Sequence, residues 1–416
     1  MFLSINWFYL KRLLKMIPTS VDIYKTQVAL LLKILPNVSE EENFALHGGT
    51  AINLFHLDMP RLSVDIDLTY IPFSSNRNVD LENIRKSLET IKKRLEERMS
   101  NVCFPDWQRA LKDLKLICSA SDVKVKIEVN QINRGLVAEP CSKKLCGRAQ
   151  DVFNSFCEVR TVSPGQLWGG KINAALDRQH PRDLFDVRNM FNETGYTDEI
   201  KTGFLFFLLG GKRPFHELLN PQKIEQRTVF DSQFIGMTNH PFSYEEFQKT
   251  REQLIFEVNR SLTEKDREFL IAFSKGEPVW DTVDYGMYPA IRWKLINIRE
   301  LKSNNPRKYR EQTELLRQSF EHVNSEKFGK TLTGRMQFGK DEIPITELKL
   351  LGLKLSDLSA TDMKNLLSGN ETKALSLKNQ KRDRIHATLS LHRNTDNSVN
   401  ILIKQVEQKQ NNTLKI

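Results

Sequence analysis

ALHGGTAINLFHLDMPRLSVDIDLTYIP, residues 45–72, is the stretch on which the fold turns. Its second half alternates strictly. Leu62, Val64, Ile66 and Leu68 fall on one side and Ser63, Asp65, Asp67 and Thr69 on the other, which predicts a strand with one buried face. Its first half reads as a short strand, a paired-glycine turn and the start of a helix. Asp65 and Asp67 stand at i and i+2 on one strand face, roughly 6–7 Å apart along it. That spacing suits divalent cations that take oxygen ligands. Gly48 and Gly49 let the backbone approach a phosphate where a Cβ would forbid it, and the Thr50 hydroxyl can add a contact. A glycine pair or a DxD alone is commonplace. A glycine turn, a helix and then a DxD strand form an ordered set suited to nucleotidyl transfer from a nucleoside triphosphate.

Outward from this stretch, residues 22–36 predict a helix closed by Pro36, and residues 79–99 a charged amphipathic helix. Residues 114–120, 123–132 and 157–162 predict three strands. In the second of these, Val123, Val125, Ile127 and Val129 alternate with Lys124, Lys126, Glu128 and Asn130. Ser163-Pro164 matches an N-cap followed by proline at the first helical position, so a helix should run through Lys171 to about Asp177. From about 182 to 324 the pattern is helical almost throughout. The expected fold class is therefore α/β, an α+β core with a mixed sheet, followed by a helical domain and a small α+β C-terminal module.

The 416 residues are 39% hydrophobic and 27% charged, enough to bury a real core. The net charge of +10 is unevenly placed. Residues 1–16 carry Lys11, Arg12 and Lys15 without an acid, and residues 325–416 carry 16 basic and 10 acidic side chains. The rest is nearly neutral, which excludes a protein that coats nucleic acid by overall charge but allows a local basic groove or tail. No run of about 18 apolar residues is present, so no membrane partner is expected. Five unevenly spaced cysteines suggest a reducing, cytoplasmic setting. Cys141 and Cys146 have the spacing of a weak zinc candidate. The expected organisation is an upstream extension over 1–15 with the true start at Met16, a core over 16–195, a helical domain over 196–324, a linker over 325–342 and a basic module over 343–416.

The motif ALHGGTAINLFHLDMPRLSVDIDLTYIP resembles the first motif of AbiEii-type nucleotidyltransferase toxins, in the DNA polymerase β-like nucleotidyltransferase superfamily. Its insert between the glycines and the DxD is a few residues longer than in the shortest superfamily members. VKIEVNQINR (125–134) resembles the strand that supplies a third carboxylate, here Glu128 where the superfamily more often has Asp. LWGGKINAALDRQHPRDLFDV (167–187) resembles the helical motifs, with Arg178, Arg182 and Arg188 nearby. The resemblance implies that Asp65, Asp67 and Glu128 hold Mg²⁺ or Mn²⁺, that Lys171 reaches the triphosphate, and that Asp183 or Asp186, with a slight preference for Asp186, holds nucleotide or positions the acceptor. Gly48, Gly49, Thr50, Ser63 and Arg182 complete the nucleotide-binding candidates, and His180 reads as a loop residue. The similarity extends through LTEKDREFLIAFSKGEP (262–278) and YPAIRWKLINIREL (288–301), while the last part resembles a C-terminal module of unknown function.

The expected activity is transfer of a nucleoside monophosphate from an NTP to a cellular acceptor. A tRNA 3′ end is favoured, and a protein hydroxyl is the alternative acceptor. Growth arrest, phage defence and a cognate antitoxin that need form no stable complex are implied. The competing class is a non-catalytic nucleotide- or nucleic-acid-binding regulator of a mobile element. The intact set Asp65, Asp67 and Lys171 argues against that, because a degenerate relative should have lost one of them.

Overall fold

The computed structural model describes residues 20–120, 122–238, 240–280, 285–328, 343–367, 370–378, 384–393 and 399–405. The expected extension before Met16, linker positions 329–342 and the turn expected at Asn394–Asn397 lie outside these residues.

The chain divides into two compact units at Val323/Asn324. The first is built on a six-stranded mixed sheet. Its strands are β1 (Phe44–His47), β2 (Asp65–Tyr70), β3 (Lys115–Ala120), β4 (Val123–Val129), β5 (Cys141–Lys144) and β6 (Glu158–Thr161), in the order β3-β4-β2-β1-β6-β5. β1 pairs antiparallel with β2, which pairs parallel with β4. Joining two parallel neighbours requires a crossover, and the helix Arg77–Arg98 lies within it. The alternation that predicts β2 decides its facing: Ile66 and Leu68 are buried while Asp65 and Asp67 stay half-open.

The register aligns the polar face. His47 lies opposite Asp67, Asp67 opposite Glu128, and Glu128 opposite Lys115. Four strands thus contribute one transverse row, with Asp65 and Lys126 in register two residues away.

The helix Pro164–Arg178 starts at the expected cap, where Ser163 Oγ accepts from the Gln166 amide at 3.3 Å. It packs on Asp198–Gly210 through glycines. A Cβ at Gly169 would sit 2.2 Å from the Gly203 carbonyl carbon, and one at Gly203 would sit 2.0 Å from the Gly165 carbonyl oxygen. Backbone lies against backbone here, which only glycine permits. The apolar interior runs without a break from Val28 in the first helix to Phe320 in the helix Pro306–Phe328. Sheet and helical half therefore share one core.

The second unit contains the helices Ile345–Leu350 and Ala360–Leu367 and an antiparallel sheet of β7 (Leu375–Lys378), β8 (Arg384–Arg393) and β9 (Val399–Gln405). It has its own apolar core, including Leu348, Leu366, Leu377 and Leu389. Among the described residues, no helix is long and apolar enough to cross a membrane.

Candidate active site

The polar row of the sheet opens into a cleft of about 580 Å³ lined by His47, Asp67, Thr69, Glu128, Asn130 and Lys212, among others. Gly48 follows β1 with φ +70°, and a Cβ there would stand 2.2 Å from Asp67 Oδ2. Both the dihedral and the space demand glycine. Asp65 and Asp67 form no ion pair with any described residue. Desolvation, then repulsion by Asp65, pushes the Asp67 carboxyl up to about 6. Two adjacent carboxylates in a part-buried site, neither in an ion pair with a described residue, are hard oxygen donors of the kind a divalent cation takes.

Glu128 differs from its expected role in its present position. Its carboxylate accepts from Lys126 at 2.6 Å and pairs with Lys115 at 3.2 Å. Burial alone would raise its pKa, but these hydrogen bonds outweigh it and hold it below the usual range. Among the described residues, no three His, Cys, Asp or Glu side chains are grouped as a metal site, which covers Cys141 and Cys146 as well. Glu128 faces Asp67 across the ladder and would have to leave its lysines to serve with Asp65 and Asp67.

Thr50, expected among the nucleotide-binding residues, likewise has partners within the fold. It is fully buried, its hydroxyl donates to the Asp65 carbonyl oxygen, and it lies 3.1 Å from Ser63 Oγ. The hydroxyl thereby ties the glycine turn to the start of β2. Ser63, also buried, is its partner, and its Oγ stands where a Cβ at Gly49 would meet it at 2.9 Å.

Behind the strands lies a buried ion cluster. Asp186 is wholly buried and receives Arg61 Nε at 2.7 Å, Arg61 Nη2 at 2.6 Å and Asn53 Nδ2 at 3.1 Å. Lys171 Nζ lies 3.0 Å from Asp186 and 2.8 Å from Asp183. Asp183 also accepts from Arg178 Nε and, at 3.0 Å, from Arg178 Nη2. Burial opposes ionisation of both aspartates, yet the surrounding cations win and hold both below the ordinary carboxylate range. Asp183 and Asp186 are thus committed to internal pairs, and so is Lys171, whose side chain is 7% exposed. All three, expected at the nucleotide, are joined in one buried ion cluster behind the strands.

Arg182 is different. Its guanidinium has no carboxylate partner among the described residues. Desolvation and then Arg61 lower its pKa, while Asp183 and Asp65 attract it. A cation beside the carboxylates without its own ion pair is suited to receiving an anion. Arg188 bonds the Pro241 carbonyl at 2.9 Å and Glu246 at 3.1 Å, away from this work. His180 caps the helix Pro181–Glu193, its Nδ1 accepting from the Arg182 amide at 3.2 Å.

Three site residues lie outside the expected set. Arg61 anchors Asp186, Asn53 joins the Gly49 carbonyl to Asp186, and His47 borders Asp67. Burial, with Lys171 nearby, lowers His47 to about 4, so it is neutral at pH 7. The one sequence signal for Arg61 is a lone cation in an apolar approach to a strand.

Residues 29–297 match the family described as nucleotidyl transferase AbiEii toxin, type IV TA system. Residues 338–414 match DUF4099, a protein family of unknown function. Among solved structures, MenT4, a nucleotidyltransferase toxin from Mycobacterium tuberculosis H37Rv, is similar at 13% identity and a TM-score of 0.48, covering 67% of this chain and 94% of that one. A candidate nucleotidyltransferase from H. pylori is similar at 13% identity and a TM-score of 0.32, covering 56% of this chain and 96% of that one. No curated protein matches the chain. Strand row, glycine turn and ion cluster all fall inside the first match, which takes in well over half of the chain, so this nucleotidyltransferase belongs to the AbiEii toxin family of type IV toxin–antitoxin systems.

Proposed function

We propose that the chain moves a nucleoside monophosphate from an NTP to a hydroxyl at a tRNA 3′ end, and that this arrests growth and serves phage defence from the cytoplasm. The observation that carries the reading is the unpaired Asp65–Asp67 pair beneath Gly48. The pair fits Mg²⁺ or Mn²⁺: the carboxylates are hard oxygen donors, neither forms an ion pair with a described residue, and the attraction of Lys126 and Lys171 only partly offsets the desolvation of Asp67. When bound, such ions neutralise the triphosphate and lower the barrier to displacement at the α-phosphorus.

Every other contribution comes from the chain. Gly48 and Gly49 give the phosphates room to reach the strand. Arg182 supplies an ionic contact to the triphosphate, with Arg178, half-exposed at its outer edge, beside it. Asp183 and Asp186 hold Arg61, Lys171 and Arg178 in fixed places, so that positive potential stands behind the leaving pyrophosphate before substrate arrives. Glu128 exchanges its lysines for the metal site and completes the carboxylate set. The cognate antitoxin need form no stable complex with the chain. Residues 343–416 act as a separate basic module.

Incubation with each labelled NTP, Mg²⁺ and either total RNA or cell lysate tests the reading. Label is expected in small RNA and absent with Asp65→Ala or Asp67→Ala. Label confined to protein would replace the acceptor, and label in neither would favour a non-catalytic regulator.

A further inference from the structure

A second and larger cleft, about 1080 Å³, lies in the first unit between the loop after β2, the segment after β4 and the helices Pro289–Asn304 and Pro306–Phe328. It adjoins the carboxylate cleft: Arg77, Gln131, Ile132 and Lys212 line both. Its charge is one-sided. Arg77, Lys212, Arg292 and Lys308 are exposed on its wall, and none has a carboxylate partner among the described residues. The one acidic side chain on the wall, Glu217, is already paired with Arg213 at 3.6 Å. The floor is apolar, and the Trp293 indole stands on it 62% exposed, with Met287 and Ile296 also open.

An exposed indole costs hydration free energy, and four uncompensated cations repel one another. A single ligand that relieves both is a flexible polyanion with aromatic faces. We infer that this cleft receives the single-stranded 3′ end of the RNA acceptor, with a base stacked on Trp293 and the backbone phosphates on Arg77 and Lys212. The two cations common to both clefts then lead the terminal hydroxyl to Asp65 and Asp67. An RNA duplex hides its base faces in stacking, so it offers phosphates to the rim but nothing to the indole. A protein acceptor would bring neither a phosphate backbone nor a run of bases, and a lining whose single acid, Glu217, is already paired favours RNA over it. The inference rests on the RNA-acceptor reading proposed above and adds the path and the residues.

The test is binding by fluorescence anisotropy to the full chain, with Mg²⁺ and without NTP. The probes are a labelled RNA hairpin with a four-nucleotide 3′ overhang and the same hairpin blunt-ended. The wild type should prefer the overhang. Trp293→Ala should weaken overhang binding about tenfold, in the range measured for loss of one stacked base, and Trp293→Phe should restore most of it. Arg77→Ala with Lys212→Ala should flatten the salt dependence by roughly 1.4 in log–log slope, for two single-strand phosphate contacts. The Trp293 side chain is exposed and lies outside the carboxylate cleft, and thermal stabilisation by NTP with Mg²⁺ should be unchanged in both Trp293 variants. Equal affinity for overhang and blunt hairpins, or unchanged overhang affinity in Trp293→Ala, overturns the inference. So does loss of NTP stabilisation in Trp293→Ala with RNA binding intact, which would give the cleft to the nucleotide base. Because binding is read without NTP, a failure of RNA labelling, which overturns the proposed function, is distinguishable from a failure here.

Discussion

Asp67→Asn and Asp186→Asn should move thermal stability in opposite directions, although each removes one carboxylate from the same region. Asp67 is held up at about 6 against an ordinary 3.8, by desolvation and by Asp65. Its charge therefore opposes folding: two units amount to about 3 kcal/mol, and discounting for the water that reaches a half-open group leaves about 1–3 kcal/mol. A raised carboxyl costs nothing below pH 3.8, where both states are protonated. The cost grows between pH 3.8 and about 6 and is complete above. Asparagine removes it. Asp186 is the reverse case, wholly buried against Arg61 and Lys171. Neutralising it strands Arg61 and takes one of two carboxylate partners from Lys171, a loss of about 3–5 kcal/mol. For a cooperative unit of about 300 residues, 1 kcal/mol corresponds to about 1.6 °C. At pH 7.5 without divalent ions, Asp67→Asn should gain about 2–5 °C and Asp186→Asn should lose about 5–8 °C. The gain should vanish near pH 4. Scanning fluorimetry reads both, and Mg²⁺ or Mn²⁺ should stabilise the wild type but not Asp67→Asn. A fall in Tm for Asp67→Asn comparable to that of Asp186→Asn would refute the assignment of an uncompensated charge to Asp67.

Gly48→Ala should abolish nucleotide transfer at a stability cost of about 1–2 kcal/mol, since the new Cβ meets Asp67 Oδ2 at 2.2 Å and φ is +70°; transfer above a few per cent of wild type would remove the close-approach argument. Arg182→Ala should leave Tm within about 1 °C, because no ion pair is lost, yet suppress stabilisation by NTP with Mg²⁺; unchanged stabilisation would deny it a phosphate. His56 lies 3.0 Å from Thr161 Oγ1, and burial, helped by Lys143, lowers it to about 4. Its folded value lies below the unfolded 6.5, so the stability tied to its neutral form is full above pH 6.5 and is lost as pH falls towards 4; His56→Gln should flatten denaturation midpoints across that window, and an unaltered profile would count against it.

Much of this was legible because it is local. The period-two run over 62–69 fixes which side of β2 is buried, and Ser163-Pro164 fixes a helix start, since each signal and its structural effect lie within a few residues. The carboxylate pair is legible for the same reason. β5 escaped because Cys141–Lys144 has no buried side chain to impose a pattern. The turn Ile52–His56 widens into a π-helix, with the Leu57 amide reaching the Ile52 carbonyl at 2.8 Å, and no residue type announces that. The partners of charged groups were the least legible. Lys171 looks like a free cation in sequence, and only the arrival of Asp183 and Asp186 from the next helix turns it inward. Thr50 is likewise claimed by the Asp65 carbonyl, which only the folded turn brings to it.

Arg61 and Asp186 stand 125 positions apart. A ribosome adding 5–20 residues per second needs roughly 6–25 s to travel from one to the other. Through that interval the nascent chain carries Arg61 without its counter-ion, and Gly48, Gly49, Asp65 and Asp67 precede a cation cluster that cannot yet assemble. A chain released early, by a truncated message or a stalled ribosome, ends without the counter-ion of Arg61 if it stops anywhere before Asp186, and should be inert. For a protein whose activity harms its own cell, the order in which these charges leave the ribosome is itself a safeguard, independent of any antitoxin.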